Sequence, residues 1–196
     1  MIYIIGYGNH AKMVASVLDT MKLKYKKISE IYEKKNNNYV DEKIRKYKKN
    51  FFLHIAIGDN SIRKKTYNFF KKKNYKFKSL IHSTSIKSKF VLIKENVFIG
   101  AGSIINNDVK IYDNCIINTG TIVEHDTIIE ENVHLAPGVK IMGGCFVGKN
   151  SFIGAGTVVS NNLKIANDCV VGAGSVVIKN LKSSGLYAGV PTQKKR

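Results

Sequence analysis

Ile93-Lys-Glu-Asn-Val-Phe-Ile99-Gly-Ala-Gly-Ser-Ile-Ile105-Asn-Asn-Asp-Val-Lys-Ile111 is the stretch that decides the fold. Counting onward in sixes gives Ile117, Val123, Ile129, Leu135, Ile141, Val147, Ile153, Val159, Ile165, Val171 and Val177, with no insertion. Four places after each stands a small or β-branched residue, such as Ser103, Cys115, Thr121, Thr127, Cys145, Ser151, Thr157, Cys169 and Ser175; Leu163 is the one large exception. A helix repeats about every 3.6 residues and a half-buried strand about every two. A period of six instead describes a short strand and a corner, three of which close one triangular coil. Each coil buries its core only against its neighbours. The repeat predicts a parallel β-helix of about five coils over residues 93–178, stacked at about 4.8 Å, with 81–93 leading into it. Gly102, Gly154, Gly156, Gly172, Gly174, Asn107, Asn114, Asn132 and Asn150 stand where corners could require positive φ, which these residue types tolerate. The three cysteines, Cys115, Cys145 and Cys169, all take the small interior position of the hexad, so they read as inert buried thiols. An odd number of cysteines is no disulfide framework and suggests a reducing cytoplasm.

Outward from the repeat, the composition changes. The chain has 196 residues and a net charge of +18. Residues 1–92 hold 22 Lys/Arg against 6 Asp/Glu, and residues 93–196 hold 10 against 8. The excess belongs to the first region alone. It invites a nucleic-acid reading, but no nucleic-acid-binding module accompanies it. Lys71-Lys72-Lys73 and Lys48-Lys49 read as solvated faces, and 34–38 reads as a loop. No apolar run is long enough to span a bilayer. Met1-Ile2-Tyr3-Ile4-Ile5-Gly6 is too short for a signal peptide and lacks a basic start.

That first apolar run reads as a strand. Gly6-Tyr7-Gly8-Asn9-His10-Ala11 follows, and then a helical pattern through Met13, Val14, Val17 and Leu18. The strand–glycine turn–helix order, with Glu30 roughly twenty residues on, is the arrangement that presents backbone N–H groups to a phosphate. A third strand over 51–57 ends in Gly58-Asp59-Asn60, and a helix from about Ser61 to Lys73 follows. Some eighty residues are too few for a full dinucleotide domain. The expected organisation is therefore a half-Rossmann-like α/β domain over 1–80 that binds a nucleotide, and a β-helix over 81–196 with a short tail.

Two of the five histidines lie in the repeat. His125 stands two places after interior Val123, near a corner, with Asp126 beside it. An imidazole oriented by a carboxylate is the best general base in the chain. His134 falls on the neighbouring coil. His54 and His82 read as structural, and His10 is placed to touch a ligand.

The segment Asn118-Thr-Gly-Thr-Ile-Val-Glu-His125-Asp126, followed by His134-Leu-Ala-Pro-Gly138, resembles the bacterial sugar acyltransferases related to sialic acid O-acetyltransferase. These include the UDP-4-amino-sugar N-acetyltransferases. The N-terminal Ile-Gly-Tyr-Gly-Asn-His10-Ala segment, Ala56-Ile-Gly58-Asp59-Asn60-x-x-Arg63 and Ala188-Gly-Val-Pro191 extend the likeness over the whole chain. The resemblance implies a left-handed β-helix and acetyl transfer from acetyl-CoA, without a metal, to a nucleotide-linked 4-amino sugar, UDP being the expected nucleotide. The alternative is O-acetylation of sialic acid or a related glycan sugar. It makes His125 the base and Asp126 its partner, where many relatives carry Glu. It places His134 and Gly143 near the acetyl group, and Ala155 and Ala173 along the CoA chain. Gly8, Asn9, His10, Glu30 and Gly58 would hold the nucleotide sugar. It further implies a homotrimer with active sites between adjacent β-helices. From the residues themselves, the cytoplasm is the expected location, with no nucleic-acid partner and no membrane insertion.

Rivals fare worse. A zinc enzyme resembling the γ-class carbonic anhydrases needs three histidines, and the repeat holds two. A purely structural β-helix would leave the glycine turn and the His-Asp pair unexplained.

Overall fold

The computed structural model describes residues 1–28, 37–46 and 51–195. Its N-terminal part is a parallel three-stranded sheet in the order β2-β1-β3, with β1 at Ile2–Ile5, β2 at Tyr25–Lys27 and β3 at Phe52–Ile55. Helix α1 (Asn9–Thr20) buries Ala11, Val14, Ala15 and Leu18, the three-and-four spacing of one helix face. Helices α2 (Asn37–Arg45) and α3 (Asn60–Lys72) cover the other side of the sheet, where Val40, Ile44, Tyr67 and Phe70 meet Tyr3, Ile5, Leu53 and Ile55. The loop expected over 34–38 is corrected at its end. Asn37 and Asn38 open α2, because Val40 and Ile44 beyond them supply a buried i, i+4 pair; positions 34–36, and Lys48-Lys49, lie outside the described residues. Lys73 is also more than a solvated charge. Its ammonium lies 2.7 Å from Asp41, which is 3% exposed and also accepts from Tyr75 and Arg45. Burial pushes the Asp41 carboxyl up, but those hydrogen bonds outweigh it and hold the group below its ordinary value.

From Leu80 onward the chain winds as the repeat predicts. Almost every strand is two residues long, and partners lie 18 residues apart: Leu80 on Phe98, Phe98 on Ile116, Ile116 on His134, His134 on Phe152. The three faces contain eight, six and five strands, or roughly six coils. From Ile99 to Val177 the inward residue of every strand is buried, whereas Lys87 holds that position exposed in the first coil. The small hexad position is buried too, including Ser103, Thr121, Thr127, Ser151, Thr157 and Ser175. Segment 81–93 is a coil in its own right, not a lead-in. Leu80–Ile81, Ile86–Lys87 and Leu92–Ile93 pair in register with the next coil. Its outward Ile86 and Leu92 are exposed, so it lacks the buried look of later coils.

The corners sort into three columns of positive φ: an asparagine column at Asn96, Asn114, Asn132 and Asn150, a glycine column at Gly102, Gly120, Gly138, Gly156 and Gly174, and a mixed column at Asp108, Asp126, Gly144 and Asn162. Three of the expected positive-φ positions are corrected. Asn107 passes that conformation to Asp108, and Gly154 and Gly172 do not adopt it. Gly154 answers to space instead, since a Cβ there would lie 2.5 Å from the Ala173 nitrogen of the next coil.

The two parts share a core. Residues Phe98 and Ile116, on the first outward face of the β-helix, are buried with Leu80 beneath Ile2, Ile4, Val14 and Leu18. The asparagine corner adds a polar seam beside it. Asn96 donates to Asn114 (2.7 Å), Asn114 to Asn132 (2.8 Å) and Asn132 to Asn150 (3.3 Å). The ladder is tied to the α/β part at several rungs: Ile55 N–H donates to Asn96, Asn132 donates to the Asn60 carbonyl, and the Asn60 amide donates to the Asn150 carbonyl.

Candidate active site

Asp126 takes positive φ at its corner, a conformation Asp adopts more readily than most residues. This turn brings its carboxylate 2.7 Å from His125 Nδ1. A carboxylate only accepts, so Nδ1 carries the proton and neutral His125 presents a bare Nε2. The His125 side chain is 60% exposed. The hydrogen bond to Asp126 raises its pKa, and the nearby charges of Asp126 and Glu124 add to that. Directly below it on the next coil is Gly143. A Cβ on Gly143 would stand 2.6 Å from His125 Nε2, so the absence of a side chain is what lets the ring lie there. The ladder uses the Gly144 N–H, donated to the His125 carbonyl, and the Gly143 carbonyl, which accepts from Asn162. Among the described residues no backbone carbonyl takes the Gly143 N–H. The corner thus joins a base, its orienting carboxylate and a backbone donor.

His134 is elsewhere. It lies on the first face, 8% exposed, edge-on to Phe152 and within 3.3 Å of the Gly58 carbonyl. A carbonyl accepts, so His134 Nδ1 holds the proton and Nε2 faces the Asn118 amide at 3.5 Å. Burial, aided by the Arg63 charge, lowers its pKa to about 4. Within one chain it therefore keeps company with the α/β part and not with Gly143. His10 lies beside it, ring centroids 6.5 Å apart, with a buried Nε2 that has no hydrogen-bond partner among the described residues. Burial, and then the proximity of His54 and His134, hold His10 well below its ordinary pKa.

Tyr7, Gly8, Asn9 and His10 from the glycine turn face Ile57, Gly58 and Asp59 across a cavity of about 350 Å³. The two glycines of the turn have different reasons. A Cβ on Gly6 would meet the Ala56 carbonyl at 2.2 Å, whereas Gly8 faces open space. Glu30 lies outside the described residues. Ala155 and Ala173 are exposed and stacked on the glycine corner, Gly174 N–H donating to the Ala155 carbonyl. The structure thus sorts the expected residues into the His125 corner, a cleft in the α/β part and an alanine corner. Sequence reading passed over Arg63, Asn118 and Asn60 as mere letters of a motif. Counting the asparagines at intervals of 18 would have exposed the seam to which Asn60 is tied.

His54 and His82 serve the fold as expected. The buried His54 donates to the Lys78 carbonyl, and His82 accepts from Thr84 at a corner. The thiol of Cys115 is pushed up to about 12 by burial, and Cys145 and Cys169 are raised for the same reason. Among the described residues no cluster of His, Cys, Asp and Glu could hold a metal, and no helix is long and apolar enough to cross a membrane.

A hexapeptide β-helix with a carboxylate-paired imidazole at one corner and a nucleotide-sized cleft beside a glycine turn defines an acyltransferase of the hexapeptide class. Residues 1–70 match the family described as the PglD N-terminal domain. Residues 126–161 and 144–179 match the bacterial transferase hexapeptide, and 91–125 match the hexapeptide repeat of succinyl-transferase. Perosamine N-acetyltransferase from Caulobacter crescentus, solved with CoA and GDP-perosamine, is 31% identical over 100% of this chain and 96% of its own, with a TM-score of 0.90. The chain belongs to the PglD-like family of acetyl-CoA-dependent sugar N-acetyltransferases with hexapeptide repeats. Two further structures share the fold at 22% identity. The acetyltransferase domain of PglB from Neisseria gonorrhoeae covers 98% of each chain with a TM-score of 0.89, and WeeI from Acinetobacter baumannii covers 99% of this chain and 100% of its own with 0.87. No curated protein sequence matches the chain.

Proposed function

We propose that this protein moves the acetyl group of acetyl-CoA to the 4-amino group of a nucleotide-linked sugar, with UDP as the leading nucleotide, in the cytoplasmic stage of glycan assembly. The observation that carries the reading is the His125–Asp126 pair, with a bare Nε2 lying against Gly143 of the next coil. The amine lone pair attacks the thioester carbonyl carbon. Nε2 takes the proton that the amine loses, the carbonyl oxygen gathers charge against the Gly143 N–H, and the C–S bond then breaks. His125 returns the proton to the departing CoA thiolate, so an amide and a free thiol result. The sequence needs no nucleophilic side chain, which suits a chain whose thiols are all buried.

In this reading Gly8, Asn9, His10, Gly58 and Glu30 hold the nucleotide sugar, and Ala155 and Ala173 leave room for the pantetheine chain. His134 contributes from the cleft side. The base corner and the cleft lie on different faces of one chain, which favours assembly as a homotrimer in which one copy's corner meets a neighbour's face. The outward residues Ile104, Ile122, Val158 and Val176 form a largely apolar column on the second face, interrupted by Lys140, that such a neighbour would cover.

The test is a panel of acceptors with acetyl-CoA: a UDP-linked 4-amino sugar, GDP-perosamine, a dTDP-linked 4-amino sugar and sialic acid. Thiol release coupled to amide formation on the UDP compound is expected. Preference for GDP or dTDP corrects the nucleotide, and turnover confined to sialic acid overturns the reading.

A further inference from the structure

Arg63 is the largest fully buried side chain, at 1% exposure. Among the described residues no ion pair includes it. A charge so buried is costly unless its hydrogen bonds are all met. Here they are met by neutral acceptors from both parts of the molecule. Nη1 donates to the carbonyls of Ile57 (3.2 Å) and Gly58 (3.0 Å). Nε donates to the Asn114 carbonyl, and Nη2 to the Asn132 carbonyl and the Asn60 side chain, all within 3.0 Å. Asn114 and Asn132 are corners of consecutive coils. Ile57 and Gly58 are one wall of the cleft. The Gly58 carbonyl also meets His134 from the first face. A simple glue between two domains needs no cation, since apolar packing already joins them through Phe98 and Ile116. The planar five-donor fork does what packing cannot: it fixes the carbonyls of one loop at set distances from two coil corners.

We infer that Arg63 is a positioning residue for the acceptor, holding the Ile57–Gly58 wall of the nucleotide-sugar cleft in register with the coils that carry His125. This rests on the acyltransferase reading above. Without the fork the wall drifts against the β-helix, and the nucleotide sugar loses its grip before the acetyl donor does. A lysine keeps the charge but has three donors on one nitrogen and cannot span a loop and two coils.

The experiment compares Arg63→Lys and Arg63→Ala with the full-length wild type, using acetyl-CoA and whichever nucleotide-linked 4-amino sugar the wild type turns over. If the wild type acetylates none, the functional reading fails before the variants are touched. Otherwise we expect the KM for the nucleotide sugar to rise tenfold or more in both variants. The KM for acetyl-CoA should stay within twofold and kcat within threefold. A purely structural Arg63 would lower the melting temperature and leave that ratio of constants alone. Any other pattern overturns the inference, whether both constants rise together, kcat alone falls or the acceptor constant is unchanged. Should a variant fail to fold, hydrogen exchange on the wild type decides. The nucleotide sugar should protect residues 57–63 together with the corners at 114 and 132, and CoA alone should not. Protection confined to 57–63 contradicts the coupling.

Discussion

The corner at His125 and the cleft at His10 use the same side chain under opposite conditions. At the corner the imidazole is exposed, bonded to a carboxylate and raised in pKa. His10 lines the cleft and His54 and His134 lie behind it, the first two rings against Phe98 and the third against Phe152; all are buried and lowered in pKa, His54 and His134 to about 4. A hydrogen-bonded carboxylate favours the charged ring at the corner, whereas burial favours neutral rings in the second group. In the proposed reaction the first would handle the proton and the second would not. The separation has a structural origin. The corner of His125 and Asp126 projects its side chains into solvent, whereas the first face lies beneath the α/β part.

The comparison breaks most visibly if the corner is not the base. His125→Ala should lower kcat by roughly 10²–10⁴-fold, with the circular dichroism of the folded protein retained, because the ring is exposed and supports no core. Its counterpart is the core column itself. Ile129→Ala empties a fully buried site and should cost about 2–5 kcal/mol of stability, read from denaturant unfolding, while the folded fraction keeps its KM values. A seam variant comes next. Asn114→Ala removes a buried link of the ladder and should cost about 1–3 kcal/mol, read the same way.

The pH profile sharpens the contrast. His125 works as a base only when Nε2 is bare, so kcat/KM should be flat at high pH and fall tenfold per unit below its raised pKa. Asp126→Asn removes the main cause of that rise, so the limb should move to lower pH and kcat should drop. The cleft histidines, being lowered, should add no second limb near neutrality. A limb that Asp126→Asn leaves in place would assign the titration to another group. The smallest effect concerns the thiols: all three cysteines are buried and unpaired, and alkylating reagents should leave them unmodified until the protein unfolds.

Legibility followed periodicity. The column from Ile99 to Val177 could be read residue by residue because each coil repeats the same burial problem. The His-Asp pair was legible because a corner two places after Val123 has few polar groups to choose from. The first coil was misread as a lead-in since Ile86 and Leu92 face solvent, and composition alone cannot tell a terminal coil from a linker. Gly154 was misassigned because close approach between coils and positive φ select the same residue. The cleft was the least legible. His134 and Gly58 stand 76 residues apart in the chain, and Arg63 gathers acceptors as far away as Asn132. No local pattern encodes such a meeting. The positive charge of the first region stayed uninformative too, although Lys73 proved to answer a buried aspartate.

The central claim is direct acetylation of a nucleotide-linked amine by the His125 corner. The most direct measurement follows one reaction of acetyl-CoA with a UDP-linked 4-amino sugar, counting free thiol and identifying the acetylated atom of the product by NMR, for the wild type and for His125→Ala. The account predicts one thiol per amide formed at the 4-amino nitrogen, and a rate in the variant at least about a hundredfold lower. Thiol release with no amide, an ester on a sugar hydroxyl, or an undiminished rate without His125 would contradict it.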